Sequence, residues 1–225
     1  MVLSKKDLQF FICFGGLLLL DASLSHFNFS SYRYATKPLI MISLLAYFIS
    51  KKSVISKKLY PWGVFAIIAA LAGDIFLMFQ EYSGLFFIAG LGAFLFAHIG
   101  YTIIFLTQKG RKKHLFQFIL LANYALIMGY LILPKAGDLK IPVLVYIMAI
   151  SAMAYTAQIR KGTVSNASYI TGLIGARLFL ASDSLLALSM FLDAFPKVDF
   201  LIMLSYGIAQ ACMVYSLVNS SKINS

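Results

Sequence analysis

Apolar blocks of about twenty residues, separated by short charged or Gly- and Pro-bearing stretches, run the length of this chain, and that spacing leaves few folds open. The blocks predict helices at 7–25, 35–49, 62–80, 84–107, 114–133, 141–159, 167–191 and 199–219. Pro61, Gly84, Gly110, Pro134, Gly162 and Pro196 fall at or between them. Pro38 is expected in the first turn of a short second helix, where no backbone donor is lost. The fold class expected is all-α, a polytopic membrane bundle of eight transmembrane helices in one domain spanning 1–225. Such spans use most of the 225 residues, so function must sit inside the bundle. Composition points the same way. With 61% hydrophobic and 12% charged residues, the chain lies far from the soluble norm of about 45–50% apolar and about 25% charged. A water-soluble enzyme, a disordered chain and a collagen-like repeat are excluded.

The net charge of +11 is spread as small clusters between the blocks, without an aromatic–basic segment, so nucleic acid is not an expected partner. Alternate loops differ. One side carries Lys5, Lys6, Lys51, Lys52, Lys57, Lys58, Lys109, Arg111, Lys112, Lys113, Arg160, Lys161 and Lys222, thirteen in all. The other carries five: Arg33, Lys37, Lys135, Lys140 and Lys197. The positive-inside rule places both termini in the cytoplasm. Lys5 and Lys6 before an apolar run look like a signal peptide, but seven further blocks and no A-x-A site favour an uncleaved first span. Cys13 and Cys212 lie in separate apolar runs without metal or redox spacing and read as packing residues.

Asp7, Glu81, Asp138, Asp193 and Asp199 fall at block ends or in loops, and Asp21 is expected near the outer end of the first helix, within reach of water. Asp74 (in LAGDIFLMF) and Asp183 (in LASDSLLAL) lie inside apolar runs. An acidic side chain at mid-span costs roughly 2.5–3.5 kcal/mol, so such groups either face a polar cavity and do chemistry or bond across helices as structural glue. The two segments resemble each other, Pro38 and Pro142 precede them at 36 and 41 residues, and Tyr101 and Gln210 each follow at 27. These spacings suggest parallel repeats, halves 1–110 and 111–225, related by a pseudo-two-fold axis along the membrane normal. The alternative is chance similarity between Leu-rich helices. Under the repeat, both carboxyls face each other at similar depth, about 9 and 12 Å below the outer boundary. Two carboxyls in a poorly solvated site do not both ionise cheaply, and a neutral acid beside a carboxylate suits general acid–base hydrolysis.

His98 and Tyr101 share one face of the fourth helix, where His98 could orient water, a carboxyl or a metal, or act as a core histidine. No HxxxH or Cys cluster accompanies it. Gly90, Gly92 and Gly100 are expected to let that helix pack closely. Ser182 and Ser184 flank Asp183 without a nucleophile elbow and are expected to bond the carboxyl or an adjacent helix. Lys37 reads equally as a phosphate ligand or as an interfacial lysine.

Together TKPL (36–39), GDIFLM (73–78), FLFAHIGY (94–101), the stretch from Pro142 through Tyr146 to Met153, LFLASDSLLAL (178–188), and Tyr206 with Gln210 resemble the YhhN family of integral membrane proteins, whose characterised members are lysoplasmalogenases. The resemblance implies an eight-helix bundle that hydrolyses the vinyl ether of lysoplasmalogen to a fatty aldehyde and glycerophosphoethanolamine or glycerophosphocholine. No metal or organic cofactor is expected. Asp74 and Asp183 would be the catalytic pair, with Lys37, His98, Tyr101, Tyr146, Ser182, Ser184, Tyr206 and Gln210 binding or positioning the substrate. Asp183 is the preferred proton donor, with its serines as positioners. The partners implied are a lysophospholipid and membrane lipids, in the cell membrane if the source is bacterial; no protein partner is inferable. Arg177 fits no part of the family pattern, and contact with either Asp would weaken that acid. The competing expectations are a proton-coupled transporter of a small molecule or lipid and a metal-dependent lipid hydrolase.

Overall fold

The computed structural model describes residues 4–27, 29–110, 114–193 and 198–220, and these form eight α-helices joined by short turns. They are α1 (Lys5–His26), α2 (Ser30–Ser50), α3 (Tyr60–Met78), α4 (Gly84–Thr107), α5 (Leu115–Ile132), α6 (Lys140–Gln158), α7 (Asn166–Leu192) and α8 (Asp199–Val218). Helix starts follow local chemistry. The hydroxyls of Ser4, Ser83 and Ser165 accept from backbone N–H groups of the first turns of α1, α4 and α7, as N-caps do. Pro61 opens α3, and Asp193 in a left-handed conformation (φ 49°) closes α7. Of the residues named from the sequence, Arg111, Lys112, Lys113, Pro196, Lys197 and Lys222 lie outside the described ones.

Seven of the eight helices are long and apolar enough to cross a bilayer. The exception is α2. It begins at Ser30, five residues earlier than the sequence suggested, so Pro38 sits in its interior rather than its first turn. Its added turn carries Arg33 and its interior Lys37, which lower its hydropathy.

Contacts between neighbours close seven helices into a ring in the order α1, α2, α3, α4, α6, α7, α8 and back to α1. α5 stands outside that ring against α6 and α7. The closest pairs are α3 with α4 and α7 with α8, and glycines explain why. A Cβ on Gly175 would stand 2.9 Å from the Ala209 carbonyl oxygen, and one on Gly73 2.7 Å from the Phe94 ring. Gly90 and Gly100 sit against Leu77 and Ala66 in the same way, but Gly92 faces open space and serves no close approach.

Two charges depart from their expected surroundings. Asp21 has no exposed surface; it accepts from the Thr36 hydroxyl at 2.5 Å and lies 3.6 Å from the Arg33 guanidinium. The added turn of α2 is what covers it. Arg160 is not a solvated loop cation but is buried where α4, α7 and α8 meet the turn after α6. It donates to Gln108 Oε1 (2.8 Å), Ser168 Oγ (2.7 Å) and Ser216 Oγ (3.1 Å), with Phe105 beneath it. Burial pulls this guanidinium down to about 10, which leaves it a cation at neutral pH. Cys13 is exposed rather than packed.

Candidate functional site

The last residues of α1, α3 and α7 and the first of α2, α4 and α8 lie at one end of the ring, here the far end; the first residue of α1 and the last of α8 lie at the other. A polar cavity of about 280 Å³ opens toward the far end. Asp74 and Lys37 line it from α3 and α2, Ser182 and Asp183 from α7, and Tyr206 from α8. A second, apolar cavity of about 50 Å³ lies beside it, walled by α4, α5, α6 and α7 through residues such as Leu91, Met128, Ile147 and Ala187. Leu77, Phe94, Asp183 and Leu186 border both, so Asp183 is the one ionisable side chain at their junction among the described residues.

Each carboxyl has two partners from two different helices. Lys37 Nζ lies 3.8 Å from Asp74 Oδ1, and the Tyr206 hydroxyl donates to Asp74 Oδ2 at 2.7 Å. On Asp183, Tyr146 donates to Oδ2 at 2.5 Å and His98 Nε2 lies 3.2 Å from the same oxygen. His98 Nδ1 is buried without a partner among the described residues. An orphaned lone pair is the cheaper of the two orphans, which puts the imidazole proton on Nε2, facing Asp183 Oδ2 and the Tyr146 oxygen. Phe94, Phe179 and Tyr206 pack edge to face on one another; Tyr206 also bonds Asp74, and Phe179 packs on His98. Gly73 makes room for Phe94 beside Asp74, which gives the Gly–Asp dipeptide a steric reason.

Several expected residues lie elsewhere or act differently. Tyr101 donates to Gln210 Oε1 at 2.8 Å, a buried pair that lines neither cavity. The two serines do not position Asp183. Ser182 donates to the Ile202 carbonyl of α8, and Ser184 bonds Tyr124 and the Leu180 carbonyl. A seryl hydroxyl on a helix most readily reaches the carbonyl a turn back or a neighbouring helix. Arg177 touches neither Asp and donates to Gln158 Oε1 at 3.2 Å. Along their helices Asp74 stands about 6 Å and Asp183 about 14 Å from the far ends, four and nine residues at 1.5 Å each, instead of about 9 and 12 Å. α3 ends earlier than expected because its last residues join the turn.

The cavity also recruits Arg33, Ser25, Gln80, Glu81 and Asp199 at its far-end mouth, none of them expected there from the sequence. The signal for Arg33 was available, since it stands one helical turn before Lys37. Among the described residues no group of three or more His, Cys, Asp or Glu is arranged to hold a metal ion.

Fold and site thus define a multi-pass helical membrane protein with paired carboxyls in an internal polar cavity. Within that class, the YhhN family model matches residues 32–217, most of the chain and every residue of the two carboxyl clusters. The chain belongs to the YhhN family. No curated protein and no solved structure gives a match to it.

Proposed function

We propose that this protein is a lysoplasmalogenase, a membrane hydrolase that cleaves the vinyl ether of lysoplasmalogen with Asp183 as proton donor and Asp74 as carboxylate. Membership of the family supports the reaction. The observation that carries the assignment of roles is the position of Asp183 between an apolar and a polar chamber. In an alkenyl lysophospholipid the vinyl ether is itself the junction between hydrocarbon tail and polar head. A tail in the apolar chamber and a head in the polar one puts the alkene beside Asp183 and its ether side toward Asp74.

The chemistry follows from the two environments. Vinyl ethers resist bases and react when a proton reaches the carbon β to oxygen. Asp183 gives its proton to that carbon, the alkene pair forms the new C–H bond, and an oxocarbenium ion develops at the adjacent carbon. The Asp74 carboxylate, held by Lys37 and Tyr206, offsets that charge and takes a proton from the water that adds there. The resulting hemiacetal collapses with cleavage of the bond to the glycerol oxygen. Its hydroxyl proton returns to Asp183, and Asp74 protonates the departing oxygen. Aldehyde and glycerophospholipid head leave, both carboxyls are reset, and one water is consumed.

The same reading takes α2 as an eighth crossing, puts both termini in the cytoplasm by the lysine and arginine bias, and places the far end outside. It also takes the halves as repeats. In support, Lys37 and Tyr146, Asp74 and Asp183, and Tyr101 and Gln210 are each 109 residues apart. Each Asp is met by the second helix of its own half and the fourth helix of the other.

Purified protein supplied with lysoplasmalogen should release aldehyde, and Asp74→Asn and Asp183→Asn should each abolish release while the proteins remain folded. Undiminished turnover in both variants would overturn the proposal.

A further inference from the structure

The mouth of the polar cavity holds both signs of charge, and of these the reaction proposed above uses only Lys37, as the partner of Asp74. Arg33 and Lys37 supply two cations. Asp21, buried behind Arg33 at 3.6 Å, fixes one edge of the guanidinium. Arg33 Nε nonetheless lacks an acceptor, and Ser25, 93% buried on the cavity wall, has an unpartnered hydroxyl. Two donors without acceptors beside two cations form a site for an anion. Glu81 and Asp199 stand on the same wall without a cationic partner among the described residues, and the buried Gln80 Oε1 beside them has no donor. Two carboxylates and an orphaned carbonyl oxygen form a site for a cation that carries N–H groups. A trimethylammonium would leave the Gln80 oxygen unpaired, and a buried unpaired acceptor is costly.

We infer that the mouth is a headgroup subsite for a phosphodiester bearing a primary ammonium, with Arg33, Lys37 and Ser25 on the phosphate and Gln80, Glu81 and Asp199 on the amine. The inference rests on the lysoplasmalogenase reading and selects, within it, the ethanolamine head over the choline head. An uncompensated anionic head such as phosphoglycerol is disfavoured by the same two carboxylates.

The test separates binding from hydrolysis. Affinities of the purified protein in detergent are measured for two saturated 1-O-alkyl lysophospholipids that lack the reactive alkene, one with ethanolamine and one with choline. The ethanolamine lipid should bind about tenfold tighter or more, as expected for one charge-assisted hydrogen-bond set. Both carboxylates are exposed, so the double variant Glu81→Gln/Asp199→Asn should keep its thermal stability. It should lose that preference because ethanolamine, which forfeits charge-assisted hydrogen bonds, is weakened more than choline, which forfeits only charge attraction. Arg33→Gln should weaken both lipids alike. Water-soluble glycerophosphoethanolamine should bind at least about tenfold more weakly than the lipid, because its tail burial is missing. Equal affinity for the two lipids, or a preference that survives in the double variant, would overturn the headgroup assignment. Soluble head binding as tightly as lipid would overturn the lipid source. A preserved preference with no aldehyde release from the vinyl ether lipid would instead sink the proposed reaction and leave the subsite standing.

Discussion

Removing the charge of Lys37 is the sharpest probe of how Asp74 is kept in the bundle. Lys37→Met retains the length of the side chain and deletes an ammonium 3.8 Å from Asp74 Oδ1, in a pair whose side chains are 14% and 3% exposed. At that separation two unit charges attract by about 4 kcal/mol in an effective dielectric of about 20. Desolvation of both groups offsets part of this, but breaking such a pair from one side strands the other charge, at a cost of about 3–5 kcal/mol. Because the polar cavity opens to water beside the pair, the low end applies, about 3 kcal/mol for Lys37→Met. Asp74→Leu should cost a similar amount, and the double variant should fall short of the sum by about 1–3 kcal/mol. The Tyr206 hydroxyl loses its acceptor in both Asp74 variants, so that loss cancels in the cycle. The four proteins are compared by chemical unfolding in a mild detergent. Additivity within about 0.5 kcal/mol would show that ammonium and carboxylate do not sense each other, and the assignment of a compensated anion to Asp74 would fall.

Three further outcomes follow from the geometry. Turnover in heavy water should place one deuterium on the carbon next to the aldehyde carbonyl, and labelled water should put its oxygen in the aldehyde and none in the glycerol; mass spectrometry of both products decides. Gly175→Ala drives a Cβ into the backbone of α8 and should destabilise by about 1–3 kcal/mol; Gly92→Ala meets nothing and should gain about 0.5–1 kcal/mol, so equal melting temperatures would refute the close-packing argument. Gln108→Leu removes the acceptor of Arg160 Nε and should cost about 1–3 kcal/mol, with turnover per folded molecule unchanged because the cluster touches neither cavity. Arg160→Lys should not restore what Arg160 provides, since a compact ammonium does not span Gln108, Ser168 and Ser216 at once.

Much of the fold could be read in advance because a bilayer simplifies the code. Apolar length and helix breakers set seven of the eight helices to within a few residues, since backbone groups in hydrocarbon have no option but the helix. The start of α2 was missed for the same reason that Asp21 was misjudged. Ser30–Tyr34 is polar and looks like loop, yet Arg33 within it and Thr36 after it meet a carboxylate that itself looks solvent-bound in sequence. Each member hides the other's reason for being there. Asp74 and Asp183 were visible because an acid in an apolar run is anomalous on its own. Arg160 was not, because a basic residue after a helix end is what a cytoplasmic loop ordinarily contains. Tyr101 and Gln210, which follow the two Asp residues at equal spacing, bond each other and sit apart from the cavities, since equal spacing says nothing about which way a side chain faces.

The arrangement around the carboxyls also explains how a repeated architecture could run an asymmetric reaction. If the halves are repeats, Lys37 and Tyr146 occupy equivalent places, and Tyr206 and His98 nearly so, one residue out of register. Each Asp then inherits the same scaffold with different chemistry hung on it. Asp74 receives an ammonium and a phenol, both of which favour its charged form. Asp183 receives a phenol and an imidazole, both on Oδ2, and no lysine or arginine among the described residues. Its Oδ1 has no partner among the described residues' side-chain hydrogen bonds and is the oxygen the proposed reaction would use. The second asymmetry lies in the helices. α1 closes against α8, whereas its counterpart α5 stands off from α4, and the apolar chamber lies on that side. On the proposed reading, the half that keeps its partner helix closed builds the polar pocket for a head, and the half that lets go of it leaves room for a tail. Exchanging the partners, as in Lys37→Tyr with Tyr146→Lys, should therefore not yield a mirror-image enzyme. On the proposed reaction it would put the cation beside the acid at the hydrocarbon junction, and turnover should be lost even if the protein folds.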